Sequence, residues 1–184
     1  MTKLFFTKVL QGTPYTFLSN KTFRTKNVSI LVPDTLLYYL VLHIKFASSS
    51  RSSQLVDLFA YENPVSTSED LKIKSVSSSL LVYQFHNLFS QNRAFLFTTS
   101  IGNDVSPSPK SVAELFATAA WLERETSEMC GVSFGSKKDL RNLLLQYGDA
   151  SAPFQKNYPS IGVKEVFYDS LTDNIIQVPV STQI

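Results

Sequence analysis

The stretch that decides the fold runs from Trp121 to Tyr147 and reads WLERETSEMCGVSFGSKKDLRNLLLQY. It holds the only tryptophan, the only cysteine and the densest charge of a chain otherwise poor in charged residues. Just upstream, Ser111 and Glu114 have the spacing of a capping box, in which a hydroxyl and a carboxylate satisfy N–H groups at a helix start. This spacing predicts a helix that begins after Ser111, runs through the charged triplet near Trp121 and ends at Gly131 in a left-handed conformation.

A second, shorter helix is predicted in the same stretch. The segment Ser136-Lys-Lys-Asp139 has the pattern of a helix start, and Gly148 is placed to end the helix. Apolar side chains between them recur at positions i, i+3, i+4 and i+7, which gives one apolar stripe on a helix. The stripe consists of Leu140, Leu143, Leu144 and Tyr147.

The charges of the first helix allow more than one interpretation. Arg124 and Glu128 are four residues apart and can pair along one face, while Glu123 and Glu125 flank the arginine on other faces. One interpretation is a surface helix with a few weak ion pairs. The alternative is a helix whose carboxylates dock on the arginines of a partner or hold the loop that follows.

The pattern of these residues resembles the signature of one family, the thirty-kilodalton subunit of respiratory complex I (NADH:ubiquinone oxidoreductase), also called NADH dehydrogenase subunit 9. Several short matches at consistent spacing are more specific than one short motif. The residues that carry the resemblance in the central stretch are Trp121, Glu123, Arg124, Glu125, Glu128, Met129, Gly131, Lys137, Arg141, Leu143 and Leu144. Farther along, it is carried by Tyr147, Gly148, Pro153, Lys156, Asn157, Tyr158, Pro159, Glu165, Val166, Tyr168 and Asp169.

Four places depart from the family pattern. Cys130 stands where an aromatic residue is usual, and Lys137 where histidine is commoner. Residues 149–152 replace a Phe-x-Gly-His segment, and Gln155 replaces an arginine. These departures affect local contacts and indicate a divergent lineage.

The composition limits the classes of function. Charged residues make up 17% of the 184-residue chain, below the usual figure of about 25%. Either partners cover part of the surface, or a biased genome favours Phe, Ser, Asn and Lys codons. The net charge of +2 does not indicate a nucleic-acid partner. No membrane-spanning segment is expected, because the longest apolar run is interrupted by His43 and Lys45 and is far shorter than about 20 residues.

The order of elements predicts an α+β domain. Strands are expected at residues 28–32, 55–61, 80–89 and 94–99, with a helix at residues 35–47 and a final strand pair at 163–168 and 175–178. The tyrosines and β-branched residues of segment 35–47 leave a strand open as the alternative there. The predicted fold is a mainly antiparallel sheet with helices on one face and an extended C-terminal tail. We divide the chain into an N-terminal arm (1–27), an α+β core domain (28–147) and a C-terminal extension (148–184) that wraps partner subunits.

The chain itself offers little redox chemistry. One cysteine cannot supply the four ligands of an iron–sulfur cluster, and no glycine-rich turn follows a strand to hold a nucleotide. His43 or His86 in a hydrolytic triad is disfavoured, because no nucleophile-elbow sequence is present. We expect no catalytic, cofactor-binding or metal-binding residues here, and FMN, iron–sulfur clusters and ubiquinone on partner subunits.

The resemblance implies a structural role within an enzyme. The chain would be a core subunit of the peripheral arm, beside the large subunit that helps form the quinone site, in a hetero-oligomer. It would lie on the matrix side of the mitochondrial inner membrane, or on the cytoplasmic face if the gene is bacterial. The alternatives are the same scaffold in a related ferredoxin-dependent complex or membrane-bound hydrogenase, and a free-standing protein-interaction module.

Overall fold

The structure is a computed structural model that describes residues 16–17, 27–48, 50, 53–62, 78–89, 91–101 and 108–181. The elements within these ranges follow in chain order. They are β1 (Thr16–Phe17), β2 (Val28–Leu31), α1 (Asp34–Phe46), β3 (Ser53–Glu62), β4 (Ser78–Asn87), β5 (Asn92–Ile101), α2 (Ala119–Cys130), β6 (Lys164–Asp169) and β7 (Asn174–Pro179). Most of the predicted N-terminal arm lies outside the described residues, and β1 is the strand that is described within it.

Five strands form one sheet in the order β1-β2-β5-β4-β3. The β3–β4, β4–β5 and β1–β2 pairs are antiparallel, whereas β2 and β5 run parallel. A short turn is enough to connect β4 to β5, because adjacent antiparallel strands can share a tight hairpin. The predicted α+β class and the mainly antiparallel sheet are confirmed.

Alternating apolar residues in the strands build the core. Side chains two apart in a strand point to the same face, so Leu81, Tyr83 and Phe85 of β4 and Leu96 of β5 face the helices and are buried. Helix α1 covers this face, and its buried residues recur at helical spacing. They are Leu37, Leu40, Val41 and Ile44.

Helix α2 packs along β3, the edge strand of the sheet. The hydroxyl of Thr126 donates to the carbonyl oxygen of Leu58 at 3.3 Å, and the thiol of Cys130 donates to that of Ala60 at 3.5 Å. An uncovered edge strand would offer such carbonyls to another chain. The sheet edge therefore fixes where α2 lies, and α2 positions the candidate site.

Two predictions in the central stretch are wrong. The helix begins at Ala119, several residues after the predicted start, and turns precede it. Residues 136–147, all of them described, form turns, bends and irregular backbone instead of a second helix. Ser136 has φ +61°, whereas a helix-capping residue has an extended backbone. The hydrogen bonds described below explain both outcomes.

The C-terminal part has a different character from the sheet domain. Strands β6 and β7 pair with each other as a separate two-stranded sheet, which confirms the predicted strand pair. Among the described residues, the cluster of buried apolar side chains ends at Phe134 and includes none from 135–181. The C-terminal part therefore depends on other interactions for its position.

Gly131 ends α2 as predicted. It has φ +70°, and its N–H donates to the carbonyl oxygen of Ser127 at 3.0 Å. A Cβ atom at this position would overlap Nε2 of Gln155. That amide donates to the carbonyl oxygen of Cys130 at 3.2 Å, so a side chain here would both strain the backbone and displace Gln155.

We predict that Gly131→Ala lowers the free energy of unfolding by about 2–3 kcal/mol, from left-handed strain of about 1–2 kcal/mol and one lost hydrogen bond. Gly148→Ala is the matched control, because Gly148 has φ +81° and nothing within 4 Å of an added Cβ. It should show the strain alone in urea denaturation. Equal losses in the two variants would contradict the role given to Gln155.

Candidate functional site

Glu123 of α2 is a fully buried carboxylate with three donors. It accepts hydrogen bonds from the Ser111 hydroxyl at 2.6 Å, the N–H of Val112 at 2.8 Å and Nζ of Lys137 at 3.1 Å. The predicted capping box does not form, because the N–H of Ser111 donates to the carbonyl oxygen of Gly135 at 2.9 Å instead of to the Glu114 carboxylate, and the Ser111 hydroxyl donates to Glu123. Glu123 ties together the segment before α2 and the segment after it.

Lys137 is buried almost as completely as its partner, with 4% of its side chain exposed. Its Nζ also donates to the carbonyl oxygen of Ala120 at 3.3 Å. Burial lowers the pKa of Lys137 from its ordinary value, while attraction to Glu123 acts in the opposite direction. Burial first, and the Glu123 charge second, raise the pKa of Tyr83 well above its ordinary value, so the phenol remains protonated.

Glu128 binds a run of three consecutive backbone N–H groups. Its two carboxylate oxygens accept from Leu143 at 2.8 Å, Leu144 at 2.8 Å and Leu145 at 3.3 Å. Successive N–H groups that converge on one anion form a nest. The carboxylate, which is largely buried, acts here as an internal anion that folds the loop around it.

Arg124 holds the same loop through its carbonyl groups. Its Nε donates to the carbonyl oxygen of Arg141 at 2.8 Å, and Nη2 donates to that of Asn142 at 3.0 Å. Nη1 lies 3.5 Å from the Asp139 carboxylate, and the guanidinium lies 5.5 Å from the ring centroid of Trp121. Only 12% of the arginine side chain is exposed.

These contacts explain why the predicted second helix does not form. In a helix the N–H of Leu145 would donate to the carbonyl of Arg141. Here that carbonyl accepts from Arg124 and that N–H donates to Glu128. Of the interpretations weighed from sequence, the structure shows the one in which the charges hold the following loop. Arg124 and Glu128 bind this loop, rather than pairing with each other as the spacing allowed.

A second segment docks at the C-terminal end of α2. The N–H of Phe154 donates to the carbonyl oxygen of Met129 at 2.9 Å, beside the contact of Gln155 with Cys130. The N–H of Lys156 donates to the Glu62 carboxylate of β3 at 2.9 Å. The segment that leads into the hairpin is thus attached by polar contacts to α2 and to the sheet edge.

The remaining signature residues lie around this helix and the loops. Glu125 is exposed and Met129 is partly buried. Trp121 is 61% exposed, beside an open cavity of about 500 Å³ whose rim includes Lys138 and Arg141. The others lie in the segment after the loop, either exposed or partly buried: Tyr147, Gly148, Pro153, Lys156 and Pro159.

The charged side chains of the site attach loops of the chain to helix α2. Glu123, Glu128, Arg124 and Lys137 all bind groups of the same chain, as given above. Burial raises the pKa of the Cys130 thiol, which disfavours the thiolate that reactive cysteines need. In the part of the chain that the structure describes, no three His, Cys, Asp or Glu side chains are grouped to hold a metal ion. Neither described helix is long and apolar enough to cross a membrane.

Sequence reasoning found most of these residues but not their partners. The roles of Ser111 and Glu62 had no local signal, because they lie far in sequence from the groups they bind. Lys137 was noted as a signature position, but its pairing with Glu123, fourteen residues away, could not be read from spacing.

The structure is thus an α+β domain whose charged helix holds the chain's own loops. Comparison with known proteins gives its family. The family described as "Respiratory-chain NADH dehydrogenase, 30 Kd subunit" matches residues 31–164. The chain belongs to this family.

Two curated relatives illustrate the similarity. NADH-ubiquinone oxidoreductase subunit 9 of Paramecium primaurelia is 39% identical over 121 residues, which are 64% of this chain and 56% of that protein. A subunit of the NADH-quinone oxidoreductase of Ruegeria pomeroyi is 32% identical over 160 residues, 87% of this chain and 73% of that protein. The match thus spans little more than half of the first relative and almost three quarters of the second.

Solved structures share the fold. A trypsin-resistant fragment of Nqo5 superposes with a TM-score of 0.53 at 19% identity, covering 68% of this chain and 89% of the fragment. A chain of an archaeal membrane-bound sulfane sulfur reductase, described as a respiratory membrane complex, gives a TM-score of 0.65 at 14% identity. It covers 86% of this chain and 85% of that one.

We predict that Glu128→Gln lowers the free energy of unfolding by about 2–3 kcal/mol, because an amide cannot replace a carboxylate that accepts from three N–H groups. Amide hydrogen exchange of Leu143 and Leu144 should accelerate in the same variant. Glu125→Gln, the same change on the exposed face of α2, should alter stability by less than about 0.5 kcal/mol. Similar effects of the two changes would argue against the nest.

We predict that Lys137→Met destabilises the chain by about 3–5 kcal/mol, because it leaves the buried Glu123 carboxylate without its cation. Lys138→Met is the control, because the side chain of Lys138 is 87% exposed and its Nζ lies 3.5 Å from the carboxylate of the exposed Glu114. That change should cost less than about 1 kcal/mol. Adding Glu123→Gln to Lys137→Met should recover part of the loss in thermal denaturation, and no recovery would contradict a coupled pair.

Proposed function

We propose that this chain is a non-redox structural core subunit of the peripheral arm of NADH:ubiquinone oxidoreductase. It would support electron transfer from NADH to ubiquinone by holding neighbouring subunits in place near the quinone site. Membership of the thirty-kilodalton family supports the complex. The internal use of the charged helix supports a structural role, because the four groups most suited to chemistry already bind the chain's own loops.

The observation that carries the proposal is the apolar surface of the C-terminal part. Beyond the core, large apolar side chains remain exposed along the segment and on both faces of the hairpin. They are Tyr147, Phe154, Ile161, Val163, Val166, Phe167, Tyr168, Leu171 and Ile175. A two-stranded hairpin is at best marginally stable alone in water, so this surface requires a partner to cover it.

The partners that we propose are the other subunits of the complex, above all the large subunit of the quinone site. The extension of residues 148–184 would wrap these neighbours, and the core domain of residues 28–147 would provide the rigid attachment. Within the arm of residues 1–27, Thr16–Phe17 pairs with β2 of the core sheet, and the rest of the arm would drape over a partner. Electron transfer requires closely fixed distances, and such sites need support from surrounding structure.

The redox groups would be carried by partner chains. FMN, the iron–sulfur clusters and ubiquinone belong there in this proposal, and the enzyme activity is that of the whole complex. The location we propose is the matrix side of the mitochondrial inner membrane, or the cytoplasmic face in a bacterium. Relatives named as NADH-ubiquinone and NADH-quinone oxidoreductase subunits support our proposal of this complex over a ferredoxin-dependent complex or a hydrogenase.

We predict that the tagged full-length chain, purified from native membranes in mild detergent, co-migrates on native gels with an NADH-oxidising band that contains flavin. The chain produced alone should show no flavin absorbance and no NADH oxidation. Mass spectrometry of the band would identify the neighbouring subunits. A chain that migrates apart from this band, or that oxidises NADH unaided, would overturn the proposal.

A further inference from the structure

The turn between β6 and β7 presents one leucine to solvent. Leu171 is 95% exposed, the highest exposure among the large apolar side chains of the described residues. It lies at the tip of the hairpin, between the strand ends at Asp169 and Asn174. An apolar side chain in this position has no packing partner within the described chain.

Side-chain hydrogen bonds fix the shape of this tip. The carboxylate of Asp169 accepts from the N–H of Leu171 at 3.0 Å and from the hydroxyl of Thr172 at 2.8 Å. The Tyr168 hydroxyl donates to the Asp173 carboxylate at 2.5 Å, and the Asn174 amide donates to the carbonyl of Thr172 at 2.9 Å. A group already held in its binding conformation loses little entropy when it binds.

One face of the hairpin carries a strip of exposed apolar side chains. Val166 and Tyr168 lie on the same face because they are two residues apart in β6, and Ile175 is the cross-strand partner of Tyr168. Their exposures are 64%, 61% and 76%. On the opposite face, Ile176 and Val178 are partly buried and Phe167 is 49% exposed. The face of Val166, Tyr168 and Ile175 is therefore the more exposed of the two.

The charge at the tip is of one sign. The segment 168–174 contains two carboxylates, Asp169 and Asp173, and no Lys, Arg or His. The hydrogen bonds from Leu171 and Thr172 hold the pKa of Asp169 below its ordinary value, which keeps it ionised. A surface that receives this tip must therefore combine an apolar pocket with a cationic rim, and an anionic lipid surface would repel it.

We propose that the β6–β7 hairpin is a docking plug. Leu171 would enter an apolar pocket on another protein subunit, and lysine or arginine side chains at the rim of that pocket would face Asp169 and Asp173. The strip of Val166, Tyr168 and Ile175 lies against the same subunit. This inference rests on the proposed function, because it names the element of the extension by which the chain recognises its neighbour.

The test is add-back of the purified full-length chain to membranes of a strain that lacks it, with bound chain measured against concentration. Leu171→Asn should weaken binding at least tenfold, as truncation of a central anchor does, while Leu171→Met should bind within about threefold of the wild type. Asp173→Asn should weaken binding and reduce its salt dependence, because it removes one of the two carboxylates at the tip. The backbone of the turn should be unchanged, because asparagine tolerates the φ of +53° found there. Thermal midpoints of the isolated variants should match the wild type.

The outcomes separate the inference from the proposed function. If the wild-type chain does not rejoin the NADH-oxidising band, the proposed function fails. If it rejoins and Leu171→Asn binds equally well, the plug alone is wrong. Leucine-dependent binding to vesicles of phosphatidylcholine and phosphatidylglycerol would instead show a lipid contact. Leucine-dependent dimers in light scattering would show that a second copy is the partner, and either result overturns the proposal.

Discussion

The structure depends on the requirement that a buried carboxylate be fully supplied with donors. Glu123 and Glu128 are five residues apart on α2, which separates them by about 140° of rotation and about 7.5 Å along the axis. They therefore collect donors from different directions: one from the segment before the helix and from Lys137, the other from the loop after it. Burying each carboxylate costs several kcal/mol. If these loops lay elsewhere, the carboxylates would lose their donors and this cost would not be offset.

This requirement makes α2 an organiser of irregular backbone. Arg124 lies between the two carboxylates and binds carbonyl groups where Glu128 binds N–H groups, so the loop is held through both kinds of backbone group. Such contacts add little net stability compared with apolar packing, but a misplaced loop would strand a charge. The helix thus specifies one conformation of the loop that follows it. Beyond Phe134, that loop contributes no residue to the apolar core.

The parts of the fold that depend on local pattern were predictable. Apolar residue pattern and turn signals predicted the strands β2 to β7, helical spacing predicted α1, and Gly131 predicted the end of α2. The stripe of Leu140, Leu143 and Leu144 also had helical spacing, yet Leu140 is 72% exposed and Leu144 60% exposed in an irregular loop. Its backbone groups bind side chains more than ten residues away, and no local pattern records such competition. The capping box predicted at Ser111 was wrong for the same reason, because the hydroxyl of Ser111 donates to Glu123, twelve residues away.

The distribution of apolar surface decides between the two explanations of the low charge content. A codon bias would scatter exposed apolar side chains along the chain. Of the nineteen large apolar side chains that are exposed in the described ranges, nine lie within residues 147–181, the part that follows the core and the loop held by α2. Clustering on a segment without a core of its own is what an intersubunit surface produces, because those side chains are buried only after assembly. On the function proposed above, the composition is therefore better explained by a chain whose last fifth completes its folding against a neighbour.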